Sequence, residues 1–276
     1  MAQTVSGPRI LAMANQKGGV GKTTTAINLA TALAAIGERV LIIDIDPQGN
    51  ASTSFAINPD EGQASAFDLL VGTANLKDAT SPTSVPDLDI VHSTLDLLGI
   101  EQSVAHDKGR AYRLRDVLRG SRAQDASAYD YVLIDCPPSL NLLTMNALAA
   151  ADAVVVPLQC EFFALEGLSQ LLKTVEHVRQ TLNRRLEIHG IVLTMYDGRN
   201  RLARQVVDDV REHLGDKVYR TVIPRNVRLS EAPSFGKPAL LYDLHCAGSQ
   251  AYLELASEVL KREKRMLDTA DVAVAN

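Results

Sequence analysis

The sequence predicts an α/β fold, with a mainly parallel sheet flanked by helices. Three observations carry that expectation. Strand-like and helix-like segments alternate along most of the 276 residues. A buried apolar run, RILAMA (9–14), passes through a glycine-rich turn directly into a helical pattern. A further strong strand candidate, YVLIDCPPS (131–139), stops at two prolines that cannot continue a ladder.

The elements follow in order. In TTAINLATALAAIG (24–37), Ile27, Ala30, Leu33 and Ala34 recur at helical spacing, and Gly37 supplies a C-terminal stop. RVLIID (39–44) is the next strand. Residues 58–87, punctuated by Pro59, Gly62, Gly72, Pro82 and Pro86, read as a loop-rich excursion around one short helical stretch. LDIVHS (88–93) returns to a strand; DAVVVPL (152–158), IHGIVLTM (188–195) and KVYRTVI (217–223) complete the sheet. Helices are expected near 161–183, 200–214 and 248–266, the last carrying KREKR (261–265). Within the basic stretch 108–122 (Lys108, Arg110, Arg113, Arg115, Arg119, Arg122), the RLRDVL spacing (113–118) suggests an amphipathic helix with a charged outer face. No internal repeat or long linker divides the chain. Residues 1–266 are therefore expected to form one domain and 267–276 a disordered tail.

Composition narrows the function classes. No apolar run approaches the roughly 18 to 20 residues that cross a bilayer, and the N-terminal MAQTVSGPR has no apolar core of a secretion signal. The three cysteines, Cys136, Cys160 and Cys246, are odd in number and lack metal-ligand spacing, which fits a reducing compartment. A net charge of −5 gives no global attraction to nucleic acid or membrane, so any such contact needs a local patch.

The chemistry concentrates in ANQKGGVGKTT (14–24). It departs once from the phosphate-loop pattern G-x-x-x-x-G-K-[ST]: Gln16 replaces the first glycine, and a second lysine, Lys17, follows it. Gly18, Gly19 and Gly21, with Val20 between them, let successive backbone N–H groups approach phosphate oxygens. The helix opening at Lys22 adds its dipole and unpaired donors. Lys22 is placed to reach the β- and γ-phosphates, the Thr23 hydroxyl to ligate Mg²⁺, and Thr24 to complete the phosphate-binding run. Asp135 ends an apolar strand and is suited to hold Mg²⁺ through water. Asp44 and Asp46, in DIDPQGN, end the second strand, and ligands of open α/β sheets bind at such carboxyl ends.

These segments resemble a known family. KGGVGKTT is similar to the deviant Walker A box of the ParA/MinD group of ATPases, which have a SIMIBI-like P-loop NTPase fold. DIDPQGNAS (44–52) and DCPPS (135–139) resemble its two switch segments. PLQCEFFALEGLSQLL (157–172) and VIPRNVRLSEAPSFGKP (222–238) are similar to the ParA branch, the chromosome- and plasmid-partitioning ATPases. The likeness runs from about residue 9 to 260.

The resemblance implies specific roles. The lysine matching Lys17 crosses a homodimer interface and touches the phosphates of the partner subunit's ATP. The aspartate matching Asp46 aligns or activates the attacking water and contacts the Mg²⁺ shell, while Asp44 is structural or stands behind the metal ligands. Pro224 and Asn226 match the loop lining adenine, with Met195 packing nearby. Arg199 and Arg228 match positions that carry DNA binding in chromosomal relatives, and backbone contacts by arginine need no base readout. A ParB-type centromere-binding partner, non-specific double-stranded DNA and a cytoplasmic, nucleoid-associated location are implied likewise. Slow intrinsic turnover is expected, since no arginine finger stands near the switches. The first strand begins within about ten residues, so no N-terminal helix-turn-helix domain is expected.

Three rival readings stay open from sequence. A MinD-like membrane-cycling ATPase would need a basic amphipathic C-terminal helix, for which LELASEVLKREKRML is the candidate, but no membrane anchor is expected. A reductase or metal-delivery ATPase would need cysteines at a dimer axis, and Cys136 has no convincing partner. A non-hydrolysing, nucleotide-switched scaffold would be indifferent to Asp46.

Overall fold

A computed structural model describes residues 7–57, 62–120, 125–162 and 164–274. The sheet comprises β1 (Arg9–Met13), β2 (Val40–Asp44), β3 (Thr80–Pro82), β4 (Leu88–Val91), β5 (Tyr131–Asp135), β6 (Ala153–Gln159), β7 (Glu187–Tyr196) and β8 (Val218–Pro224). The helices are α1 (Lys22–Ala35), α2 (Asn50–Ser54), α3 (Ala66–Val71), α4 (Leu76–Ala79), α5 (Ile100–Ser103), α6 (Arg113–Arg119), α7 (Leu142–Ala150), α8 (Ala164–Thr181), α9 (Arg201–Leu214), α10 (Val227–Glu231), α11 (Ala239–Tyr242) and α12 (Ala247–Val274).

The strand order is β3-β4-β2-β5-β1-β6-β7-β8. Every pairing is parallel except β3 against β4. The expected α/β class with a mainly parallel sheet is therefore the observed one. Side chains alternate across each central strand, and both sets are buried. Ile10 and Ala12 join one core cluster, with apolar residues of α3, α6, α7, α8 and α9; Leu11 and Met13 join the other, with α1, α11 and α12. From β5 the chain crosses over β1 to reach β6, so the loops after β1 and β5 open at the point where the winding reverses. That is where such sheets hold ligands.

The structure corrects several sequence-read boundaries. The excursion after α2 contains two helices, α3 and α4, and an antiparallel edge strand, β3. Short local contacts build it: Ser65 and Asp68 form a reciprocal capping box on α3, and the Asn75 side chain caps α4. The amphipathic helix expected from RLRDVL is α6, Arg113–Arg119; Arg122 lies outside the described residues, as does Pro59. The last helix continues to Val274, past its expected end near residue 266. Its apolar side is occupied, because Tyr252, Leu255, Ala256 and Val259 are buried in the core beside α1. Among the described residues no helix is long and apolar enough to cross a membrane.

Candidate nucleotide site

The loop leaving β1 is built from both ends. Asn15 is 3% exposed; its amide donates to the Pro157 carbonyl at 2.7 Å while its Oδ1 accepts from Lys17 N at 3.0 Å. From β7, the Thr194 hydroxyl donates to Val20 O at 2.8 Å. Gly21, the residue before α1, has φ +89°, and its Hα edge lies against the Thr194 side chain, so any larger residue would be strained there. No side chain caps α1, and its first residues carry no acid. The open helix N-terminus therefore remains a ready anion site.

The two lysines of the loop stand differently. Lys22 is nearly buried, and its Nζ donates to the Lys17 carbonyl at 3.1 Å. Burial lowers its pKa, an effect opposed by the nearby Asp135, Cys136 and Asp46. Lys17 extends to the surface and forms an ion pair with Glu161, just beyond β6. Sequence reasoning singled out Lys17 but not its partner.

Three aspartates gather at adjoining strand ends. Asp44 of β2 lies in register with Asp135 of β5, and both are fully buried. Burial, then the charge of Asp44, drives the Asp135 carboxyl well above the usual range; Thr23 lies beside it. Neither oxygen of Asp135 meets hydrogen-bond geometry with any described residue. Asp44 is raised to about 6, mainly by burial, while hydrogen bonds from Ser52 and Asp46 oppose that shift. Asp46, 8% exposed, accepts from Gln48 N through Oδ1 at 3.0 Å. A buried carboxylate whose oxygens meet no hydrogen-bond geometry, with two more aspartates nearby, suits a divalent cation. Thr23, Asp46 and Asp135 would hold Mg²⁺ directly or through water. The cation would supply charge neutralisation at phosphate oxygens.

The remaining predicted residues lie on β7, β8 and the segments that follow them. Met195, at the end of β7 with φ +53°, follows the Thr194 that holds the loop. Tyr196 pairs with Pro224 of β8, which brings Met195, Pro224 and Asn226 to neighbouring strand ends. The Asn226 side chain is engaged as the cap of α10, accepting from Arg228 N at 2.8 Å. Asn28 of α1 also ties this side together: its amide donates to Thr24 O and its oxygen accepts from Ala239 N. A cavity of about 280 Å³ opens between Thr23, Thr24, α2 and the 229–239 segment. Arg199, almost fully exposed, pairs with Asp197. Arg228 pairs with Glu231 at 2.8 Å and Asp243 at 3.5 Å. The roles of Asn15, Thr194, Asn28 and Glu161 escaped sequence reading because all four act through contacts far along the chain. The buried Cys136 thiol is held protonated, chiefly by burial, which makes it a poor nucleophile or ligand.

An open parallel sheet, a glycine loop with two lysines and strand-end aspartates define a P-loop nucleotide hydrolase. Residues 8–188 match the family described as AAA domain. The chromosome partitioning protein ParA of Caulobacter vibrioides is 64% identical over 256 residues, 93% of this chain and 95% of the relative. The sporulation initiation inhibitor protein Soj of Bacillus subtilis is 51% identical over 251 residues, 91% and 98% of the two chains. Among solved structures, cobyrinic acid a,c-diamide synthase of Mycobacterium smegmatis with bound ADP and magnesium superimposes with a TM-score of 0.80. It is 36% identical, with 93% of this chain and 96% of that one covered. The cell division ATPase MinD of Pyrococcus furiosus gives 0.73 at 28% identity, over 92% and 98%. The chain belongs to the ParA/Soj family of chromosome-partitioning ATPases.

Proposed function

We propose that this chain is a Mg²⁺-dependent ATPase that segregates chromosomal or plasmid DNA, working in the cytoplasm on the nucleoid as a single ATPase unit over residues 1–266. The observation that carries the reading is the phosphate loop with a second, outward lysine: Lys22 faces inward to the Lys17 carbonyl, while the Lys17 ammonium reaches the surface. Lys22 and the Gly18–Thr24 run bind the triphosphate of the chain's own ATP. Met195, Pro224 and Asn226 line adenine. Lys17 leaves Glu161 and contacts the phosphates of a partner subunit's ATP, so nucleotide closes a homodimer. Charge-assisted hydrogen bonds of this kind gain strength where water is excluded.

The closed dimer binds double-stranded DNA without sequence preference through Arg199 and Arg228. Asp46 aligns the attacking water, and a ParB-type partner accelerates hydrolysis and release. Intrinsic turnover is slow. The test is ATP turnover measured with DNA and a ParB-type protein, added separately and together. Synergy is expected; turnover indifferent to DNA would overturn the partitioning reading.

A further inference from the structure

Asp46 sits in the turn after β2, where a backbone would ordinarily wander by more than catalysis tolerates. Here a closed ring of hydrogen bonds holds it. Asp46 N donates to Asp44 Oδ1 at 3.2 Å. Asp44 Oδ2 accepts from Ser52 N at 3.0 Å and from Ser52 Oγ at 2.8 Å. Ser52 Oγ accepts from Ser93 N at 3.1 Å, and Ser93 Oγ donates to the Asp46 carbonyl at 2.5 Å. Each hydroxyl spends its single proton within the ring, so the donor directions are mutually consistent. Asp44, Ser52 and Asp46 are all buried, which shields the ring from competing water.

The ring grips both peptide groups flanking the Asp46 Cα, one through its N–H and one through its carbonyl. Only the side-chain torsions remain, and Gln48 N occupies Oδ1. Among the described residues Oδ2 has no hydrogen bond, which leaves that atom to act on water or on the metal shell. Ser93 is the one member outside the DIDPQGNAS segment. It stands just past β4, and through it the neighbouring strand is fastened to the turn.

We propose that Ser93 is a positioning residue for Asp46, with Asp44 and Ser52 closing the ring through which it acts. The proposal rests on the reading of Asp46 as the hydrolytic residue. Catalytic groups must be held within about 0.5 Å of productive geometry, and a misplacement of ~1 Å costs up to ~100-fold in rate.

The experiment compares Ser93→Ala, Ser93→Thr, Asp46→Asn and the Ser93→Ala/Asp46→Asn double variant in the full chain. ATP affinity is read with a fluorescent ATP analogue, fold by thermal melting, and turnover at saturating ATP. Ser93→Ala is expected to lose about 10-fold or more in kcat while its ATP affinity stays within about twofold. Ser93→Thr keeps the hydroxyl and should restore most of the rate. In the Asp46→Asn background, Ser93→Ala should cost nothing further, because the two act as one unit. Wild-type turnover in Ser93→Ala beside an inactive Asp46→Asn overturns the positioning role alone. A further loss in the double variant, or a matched loss of ATP affinity and melting temperature, also overturns it. Undiminished turnover in Asp46→Asn overturns the hydrolytic reading itself.

Discussion

Lys22 shows how one side chain couples loop shape to charge. Its ammonium is nearly buried, which is costly unless it is satisfied; the Lys17 carbonyl and the strand-end aspartates do this before any phosphate arrives. On the proposed reading, phosphate oxygens then meet a cation already held at the helix N-terminus. A charge-assisted hydrogen bond contributes about 1.5–3 kcal/mol, so Lys22→Ala is expected to weaken ATP binding by at least ~10-fold. Titration with a fluorescent ATP analogue measures it. Asn15 holds the same loop through its hydrogen bonds with Pro157 O and Lys17 N. Asn15→Ala strips partners from Pro157 O and Lys17 N, at about 1–3 kcal/mol for such orphaned groups. A lower melting temperature together with weaker ATP binding is the expected outcome. An unchanged melting curve would contradict the anchoring role.

At the scale of elements, the far edge of the sheet is fastened to α12 by a polar cluster. A register shift between β6 and β7 leaves His189 without a partner strand residue. Its ring meets the Tyr219 hydroxyl and stands 2.9 Å from Glu263 of α12. Glu263 also accepts from Arg9 Nε at 2.8 Å, so β1, β7 and α12 share one carboxylate. Burial alone would raise the Glu263 pKa, but His189 and Arg9 more than offset this and hold it below 4.5, its ordinary value. A carboxylate with a depressed folded-state pKa stabilises the protein above the ordinary value, and that contribution disappears as pH falls through the folded-state pKa. Stability should therefore fall on acidification below about pH 4.5, and Glu263→Gln should flatten that slope in urea melts taken across pH. Gly190 marks the same junction. A Cβ there would lie 2.5 Å from the buried Tyr219 ring, so Gly190→Ala is expected to destabilise by about 1–3 kcal/mol through overpacking. Chemical denaturation measures the loss.

For the whole molecule, nucleotide, dimer and DNA are expected to be linked. Asp46→Ala should accumulate an ATP-bound dimer that stays on DNA with little turnover; rapid release from DNA would contradict the cycle. Arg228 is half-exposed and held by Glu231 and Asp243, so under the proposed function DNA phosphates would have to displace two carboxylates to engage it. Surface pairs of this kind contribute only ~0–1 kcal/mol, so the exchange is feasible. Arg228→Glu should still dimerise with ATP, read by light scattering, while losing DNA retention in a salt-dependent assay. Undiminished DNA binding in that variant would remove Arg228 from the interface.

The sequence by itself determined the class of fold and the phosphate loop. Both rest on local signals: apolar runs of strand length, glycines where φ must be positive, and a lysine–threonine pair at a helix start. Asp44, Asp46 and Asp135 were legible too, because strand ends are marked by where apolar runs stop. The edge strand β3 and the long run of α12 were not, since tertiary packing and local caps override a weak periodic pattern. Nor were Asn15, Thr194, Glu161 and Ser93 legible as parts of the site. Ser93 lies 41 positions from Ser52 and 47 from Asp46 along the chain; Thr194 lies 174 from Val20. Hydrogen bonds act over about 3 Å whatever the separation in sequence, so only the parallel stacking of strand ends could bring these groups to one place.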